Sequence, residues 1–205
     1  MVKVTDLILG IRARLGDTDI TRQTYSDMEI IDAINSSLSH ISEDLLCFSK
    51  TWTIPTIAGV NRYVLPMDFL RFISIRFNTT LIKNIISIEQ QAKQEYPTTT
   101  LTASFDNQTL FIYGTEIKAN DEIELYYNYF ETISNKDEIL IIPNNTKEVL
   151  VYYALSVLYE NPVKKNGLSY SNRYRKLYDT EIIKLSSRLS KNRQSKNITT
   201  SYIKV

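Results

Sequence analysis

Six apolar residues, Ile30, Ile34, Leu38, Ile41, Leu45 and Phe48, recur at every third or fourth position between Tyr25 and Phe48. That spacing predicts a helix of about six turns with all six on one face. Its start is marked twice. Ser26 and Glu29 form a capping box, in which each side chain satisfies an unpaired amide of the other, and Tyr25 before the cap with Ile30 inside it makes a hydrophobic staple. The opposite face carries Asp32, Ser36, His40 and Glu43. A helix that is apolar on one side only must be covered by other parts of the chain.

Residues 4–15 supply the nearest cover. Val4, Leu7, Ile8, Ile11 and Leu15 share a side, Thr5 stands near the start, and Gly16 is placed to end the helix in a left-handed cap. The connection through Asp17 and Asp19 opens like a calcium loop, but a twelve-residue loop from Asp17 requires glycine at Arg22 and a bidentate acid at Met28. Asx turns joining two helices fit the sequence better.

After Lys50 the apolar period becomes alternating. Trp52 and Ile54, a turn at Ala58 and Gly59, then Tyr63 and Leu65 predict a hairpin closed by Pro66. Phe72, Ile73, Ile75 and Phe77 predict a mostly buried strand, and residues 87–96 a short helix capped by Ser87, with Glu89 in its first turn and Pro97 beyond it. A second hairpin joins 101–105 to 109–113, and a third joins 116–118 to 122–130. In its last arm Ile123, Leu125, Tyr127 and Tyr129 alternate with Glu122, Glu124, Tyr126 and Asn128, predicting one apolar and one acidic face. Glu122 and Glu124 are thus candidate contact residues on a surface that is otherwise a solvated sheet. Ile139–Ile142 is a last apolar run before Pro143.

Helical spacing then returns. Asn145 and Glu148 mark a start, followed by Leu150, Tyr153, Ala154, Val157 and Leu158 up to Pro162. A longer helix from about Ser169 carries Tyr174, Leu177, Tyr178, Glu181, Ile182, Leu185 and Leu189 on one side and Arg173, Lys176, Lys184, Arg188 and Lys191 on the other. Beyond Ser190 the pattern dissolves into a polar stretch with Arg193 and Lys196, and Ile198, Tyr202, Ile203 and Val205 read as a β-prone end. The expected fold class is therefore α+β: a four-helix bundle from residues 1–50 and 144–190, an inserted antiparallel β domain over 51–143 with one short helix, and an extended, flexible C-terminal tail over 191–205.

Much chemistry is excluded. Five glycines form no phosphate-binding loop, and Gly167-Leu168-Ser169-Tyr170-Ser171 lacks the final glycine and the preceding strand of a nucleophile elbow. His40 has no second histidine or cysteine pair to complete a zinc site, and Cys47, the single cysteine, reads as a packed thiol. No apolar stretch approaches the ~20 residues of a membrane span. Neither an enzyme nor a cofactor is expected. The net charge of +1 hides an asymmetry: eleven Lys or Arg against three acids from Glu160 onward, thirteen against twenty before it. Oppositely charged halves can stack on copies of the same chain, line a channel, or dock on a charged partner.

Three pieces, in order, resemble a known family. They are Leu15-Gly16-Asp17 followed by the run Tyr25-Ser26-Asp27-Met28-Glu29-Ile30-Ile31-Asp32-Ala33-Ile34-Asn35; Tyr63-Val64-Leu65-Pro66-Met67-Asp68-Phe69-Leu70-Arg71; and Ile141-Ile142-Pro143 leading to Tyr152-Tyr153-Ala154-Leu155 and Leu158-Tyr159. The arrangement resembles the head-to-tail adaptor (connector, or head-completion) proteins of short-tailed bacteriophages. The resemblance implies a virion protein at the head-tail junction, made in the host cytoplasm. It implies a ring, typically of twelve copies, that joins the portal protein after DNA packaging and offers the surface on which the tail (nozzle or tail-tube) protein assembles. Double-stranded DNA would pass through its channel without sequence specificity. Ile198, Tyr202, Ile203 and Val205 would be the portal-contact tail, added as a strand or filling clefts. The rival reading is a nucleic-acid-binding module in which Arg173, Lys176, Lys184, Arg188, Lys191, Arg193 and Lys196 neutralise phosphates.

Overall fold

The computed structural model describes residues 1–45, 48–87, 89–90, 100–142, 146–160 and 167–201, with 190–201 described by backbone alone. Among the described residues, four α-helices and a short helical piece at 89–90 accompany mainly antiparallel sheets. The chain divides into two compact units, residues 1–41 with 132–205, and residues 42–131.

The first unit begins with β1 (Val2–Lys3), α1 (Val4–Leu15), a 3-10 turn (Ile20–Arg22) and α2 (Asp27–Leu45). Gly16 ends α1 at φ 67°, the left-handed geometry that glycine adopts without penalty. The capping box of α2 is built as the sequence predicts: the Ser26 amide donates to Glu29 Oε2 at 2.7 Å, and the Glu29 amide donates to Ser26 Oγ at 3.2 Å. All six residues of the apolar stripe are buried. The helix is described as far as Leu45, and Phe48 is not helical; Cys47 lies outside the described residues. Asp19 accepts from the Thr21 amide at 3.0 Å, the Asx turn expected of this loop.

The same unit resumes after the sheets. Asn35 holds the returning chain at both atoms of its amide, donating to the Ile133 carbonyl at 2.9 Å and accepting from the Ile133 amide at 2.8 Å. The strand β10 (Ile139–Leu140) pairs antiparallel with β1, and α3 (Lys147–Tyr159) and α4 (Gly167–Ser201) follow. Buried residues surround α3, Val149, Leu150, Val151, Tyr153, Ala154, Leu155 and Leu158 among them. It meets α1 through Arg14 and Glu148 at 2.8 Å, and the segment before α2 through the Tyr25 hydroxyl, which donates to the Leu158 carbonyl at 2.6 Å. His40, expected on a polar face, is half-buried, its ring centroid 4.5 Å from that of Tyr153. The Asn145 start signal lies outside the described residues.

Among its described residues the second unit holds eight strands: β2 (Ser49–Pro55), β3 (Arg62–Val64), β4 (Phe69–Phe77), β5 (Thr80–Leu81), β6 (Asn84–Ile86), β7 (Thr102–Asp106), β8 (Thr109–Tyr113) and β9 (Glu122–Tyr129). They form two four-stranded sheets, β2-β9-β4-β5 and β3-β8-β7-β6, with β6 parallel to β7. Both sheets contribute to one core, with Ile75, Ile123, Leu125 and Tyr127 from the first and Tyr63, Ala103, Leu110 and Ile112 from the second.

Three strand expectations are corrected. The β7–β8 hairpin is present with Phe105 opposite Leu110, but Trp52 pairs with Leu125 and Tyr63 with Leu110, so β2 and β3 belong to different sheets. Buried Thr56 is the reason. Its amide donates to the Asp121 carbonyl at 2.8 Å and its hydroxyl to the Lys118 carbonyl at 2.6 Å, diverting the chain between the sheets where a hairpin would have turned it back. The same bonds hold residues 118–121 as a turn, so 116–118 form no strand and β9 takes β2 and β4 as neighbours. Third, Ile73 is 43% exposed because the β4–β9 register shifts between Phe72 and Ser74, and a bulge turns a side chain out of the alternation.

Two further expectations change. Ser87 caps the helical residues 89–90 through Gln90, whose amide donates to Ser87 Oγ at 3.2 Å, and not through Glu89; residues 91–99 lie outside the described residues. The extended tail is corrected as far as Ser201, because α4 continues there as helix. No proline or glycine between Lys191 and Ser201 stops it.

Candidate interaction surfaces

The inward face of α4 is fixed by tyrosines at intervals of four. Tyr170 and Tyr174 stack on Tyr159 of α3 at 5.2 and 5.6 Å, and Tyr178 meets Tyr153 edge to face at 5.0 Å. Offset and edge-on aromatic pairs contribute beyond their buried area. Arg175, which the sequence pattern did not single out, lies with its guanidinium 4.5 Å from the Tyr153 ring centre. Its neighbour Tyr174, on the edge of the apolar stripe, was the available signal.

With that face committed to α3, Arg173, Lys176, Lys184 and Arg188 are exposed on the other. Lys184 reaches Glu181 at 2.6 Å, a surface pair of small energetic weight. Lys191 lies about five turns beyond Arg173, at the same helical phase, whereas the positions of Arg193 and Lys196 fall away from that stripe. Ile198 is in the helix by its backbone, and Tyr202, Ile203 and Val205 lie outside the described residues.

The outward row of β9 is less acidic than expected. Glu122 is exposed, but Glu124 pairs with Arg76 at 3.5 Å. β9 is an interior strand, so its row takes its character from both neighbours: Thr53 and Arg76 are opposite Glu124, and Thr51 and Ser74 are opposite Tyr126. Asn128 is buried and donates to the Phe48 carbonyl at 3.1 Å. The face is polar and of mixed charge.

A third surface has no counterpart in the sequence reading. Arg12, on α1, is 4% exposed. It donates to Asp17 Oδ2 at 3.0 Å, the Tyr25 carbonyl at 3.0 Å and Asp27 Oδ1 at 2.6 Å. Asp17 also accepts from the Thr24 amide at 2.6 Å. One buried guanidinium thus ties α1 to the loop and to the first turn of α2. Beside it runs a groove of about 520 Å3, lined in part by Leu9, Thr18, Ile20, Asp27, Lys136 and Asp137. Leu9 and Ile20 are 60% and 85% exposed.

The carboxyl of Glu29 is held below its usual range by the Ser26 amide and then by the Ser26 hydroxyl. Burial pushes the Tyr152 hydroxyl up, with Glu148 adding to the shift. These groups serve caps and packing, and among the described residues no cluster of His, Cys, Asp or Glu is arranged to hold a metal ion.

Compared with known proteins, the chain matches a family model described as SU10 adaptor protein over residues 2–200, which takes in every element from β1 to α4. No curated protein matches it.

Proposed function

The chain belongs to the SU10 adaptor protein family, a phage head-tail adaptor family, and on that premise we propose that it builds a ring between the portal protein and the tail, of twelve copies in this reading. Double-stranded DNA, already packaged when the ring joins the portal, passes through the ring without sequence specificity on ejection. The single observation that carries the reading is the length of the family match, which spans both compact units. In this reading the four helices form a bundle that frames the ring. Ile198, Tyr202, Ile203 and Val205 meet the portal, and Glu122, with Glu124 beside its partner Arg76, meets a neighbour or the tail protein.

The test is native mass, measured for the chain alone and mixed with the portal protein of the same virus, beside a chain ending at Gln194. Ring-sized complexes with the full chain and none with the truncated one are expected. A full-length chain that stays monomeric and ignores the portal refutes the reading. The exposed Arg173, Lys176, Lys184 and Arg188 favour the nucleic-acid module as the second reading; duplex binding that falls steeply with salt is its signature.

A further inference from the structure

The basic stripe of α4 and the groove beside α1 are complementary in charge, in apolar content and in position. The stripe carries Lys176, Lys184 and Arg188 together with Ile183, which is 66% exposed. The groove offers exposed Leu9 and Ile20 and the carboxylate of Asp137, and exposed Asp6 and Asp19 adjoin its lining residues Thr5 and Ile20 in sequence. Its two cations are already engaged, Arg12 with Asp17 and Asp27, and Lys136 with Asp27 at 3.9 Å. Cations with apolar side chains on one surface and carboxylates with apolar side chains on the other are what a specific protein contact presents.

Their placement matters as much as their chemistry. Arg12 faces the groove, while Arg14, two residues on and therefore about 160° around α1, faces α3 at Glu148 and lies 5.7 Å from the Tyr152 ring centre. Tyr152 stacks in turn on Tyr174 of α4 at 6.2 Å. The groove and α4 therefore occupy opposite flanks of α1. A surface and its complement on opposite flanks of one protomer make a heterologous contact, the kind that closes into a ring when the rotation permits.

We propose that the outward stripe of α4 seats in the α1–α2 groove of the next copy, with Ile183 against Leu9 and Ile20 and the basic side chains over Asp6 and Asp137. This rests on the adaptor reading, and it deepens that reading by naming the contact that builds the ring.

The experiment uses two full-length variants, one with Lys176→Glu, Lys184→Glu and Arg188→Glu on the stripe, the other with Asp6→Lys, Thr18→Lys and Asp137→Lys at the groove. Assembly is read by native mass with the portal present, at about 0.1 M salt, where screening sets in near 10 Å. Each variant alone is expected to assemble roughly tenfold or more weakly than wild type, while their equimolar mixture assembles, because every contact in an alternating ring is again complementary. Where a variant melts below wild type, Arg188→Glu paired with Asp137→Lys repeats the test with one charge per side. Stripe-reversed chains that assemble like wild type overturn the contact and leave the adaptor reading standing. So does a mixture that fails to recover, or a reversal that abolishes duplex binding while assembly persists. A wild-type chain that does not assemble overturns both.

Discussion

Replacing Arg12 by methionine isolates the buried ion pair. The Arg12 and Asp17 side chains are 5% and 3% exposed, so Arg12→Met leaves a carboxylate in the interior, held by the amides of Thr24 and Tyr25 without its countercharge. Removing one partner of a buried pair costs about 3–5 kcal/mol, most of it the penalty on the charge left behind. The Asp27 contact adds little, because that side chain is 44% exposed and remains solvated without its partner. If the stranded charge is the cause, removing it restores stability: Arg12→Met with Asp17→Asn is expected to recover at least half the loss. Urea unfolding followed by helical ellipticity reports the helices, and at about 2 kcal/mol/M the single variant should move the midpoint down by roughly 1.5–2.5 M. A loss below about 1 kcal/mol, or a double variant no more stable than the single one, would refute the argument.

Further outcomes follow from local geometry. Ser26→Ala removes the acceptor for the Glu29 amide and should cost about 1 kcal/mol, read as a lower denaturation midpoint. Because Glu29 has a lowered carboxyl pKa in the folded chain, its contribution is complete above the unfolded value of about 4.3 and is lost as pH falls through the lower folded value. Glu29→Gln should therefore flatten the acid limb of the stability profile, and an unchanged limb contradicts the assignment. Gly114 and Gly59 separate strain from collision: both have positive φ, but a Cβ on Gly114 would stand 2.0 Å from the Thr100 carbonyl oxygen, while one on Gly59 meets nothing within 4 Å. Gly59→Ala should cost about 1–2 kcal/mol, whereas Gly114→Ala should lower the soluble yield of the folded chain.

What could be read from the sequence was whatever short-range chemistry decides. The capping box at Ser26, the glycine stop at Gly16 and the β7–β8 turn each involve neighbours within a few residues, and each is built as the pattern predicts. Strand pairing was harder, because alternation at Trp52 or Tyr63 says which face is buried and not which strand lies beside it; the bonds of Thr56 to residues 118–121 decide that from more than sixty positions away. Arg12 was invisible for a related reason. In sequence it is one more cation on a helix, and only the convergence of Asp17, Tyr25 and Asp27 makes it a buried one. The stripe of Arg173, Lys176, Lys184 and Arg188 was legible from helical phase, but the groove opposite it is made of parts from residues 5 to 137 and exists only once the chain has closed.

The pairing of β1 with β10 carries a further meaning for the order in which this chain acquires its shape. Val2 and Lys3 wait for Leu140 and Ile139, so these two residues find their partners only after every residue between them has been made. Residues 42–131, being continuous, can condense while synthesis proceeds, and a collapsed segment draws its two ends together at a smaller entropic cost than an open chain of the same length. The β unit thereby acts as an internal timer: slow its folding, as Gly114→Ala should, and the amphipathic face of α2 stays uncovered in the cell for longer, where other nascent chains can reach it.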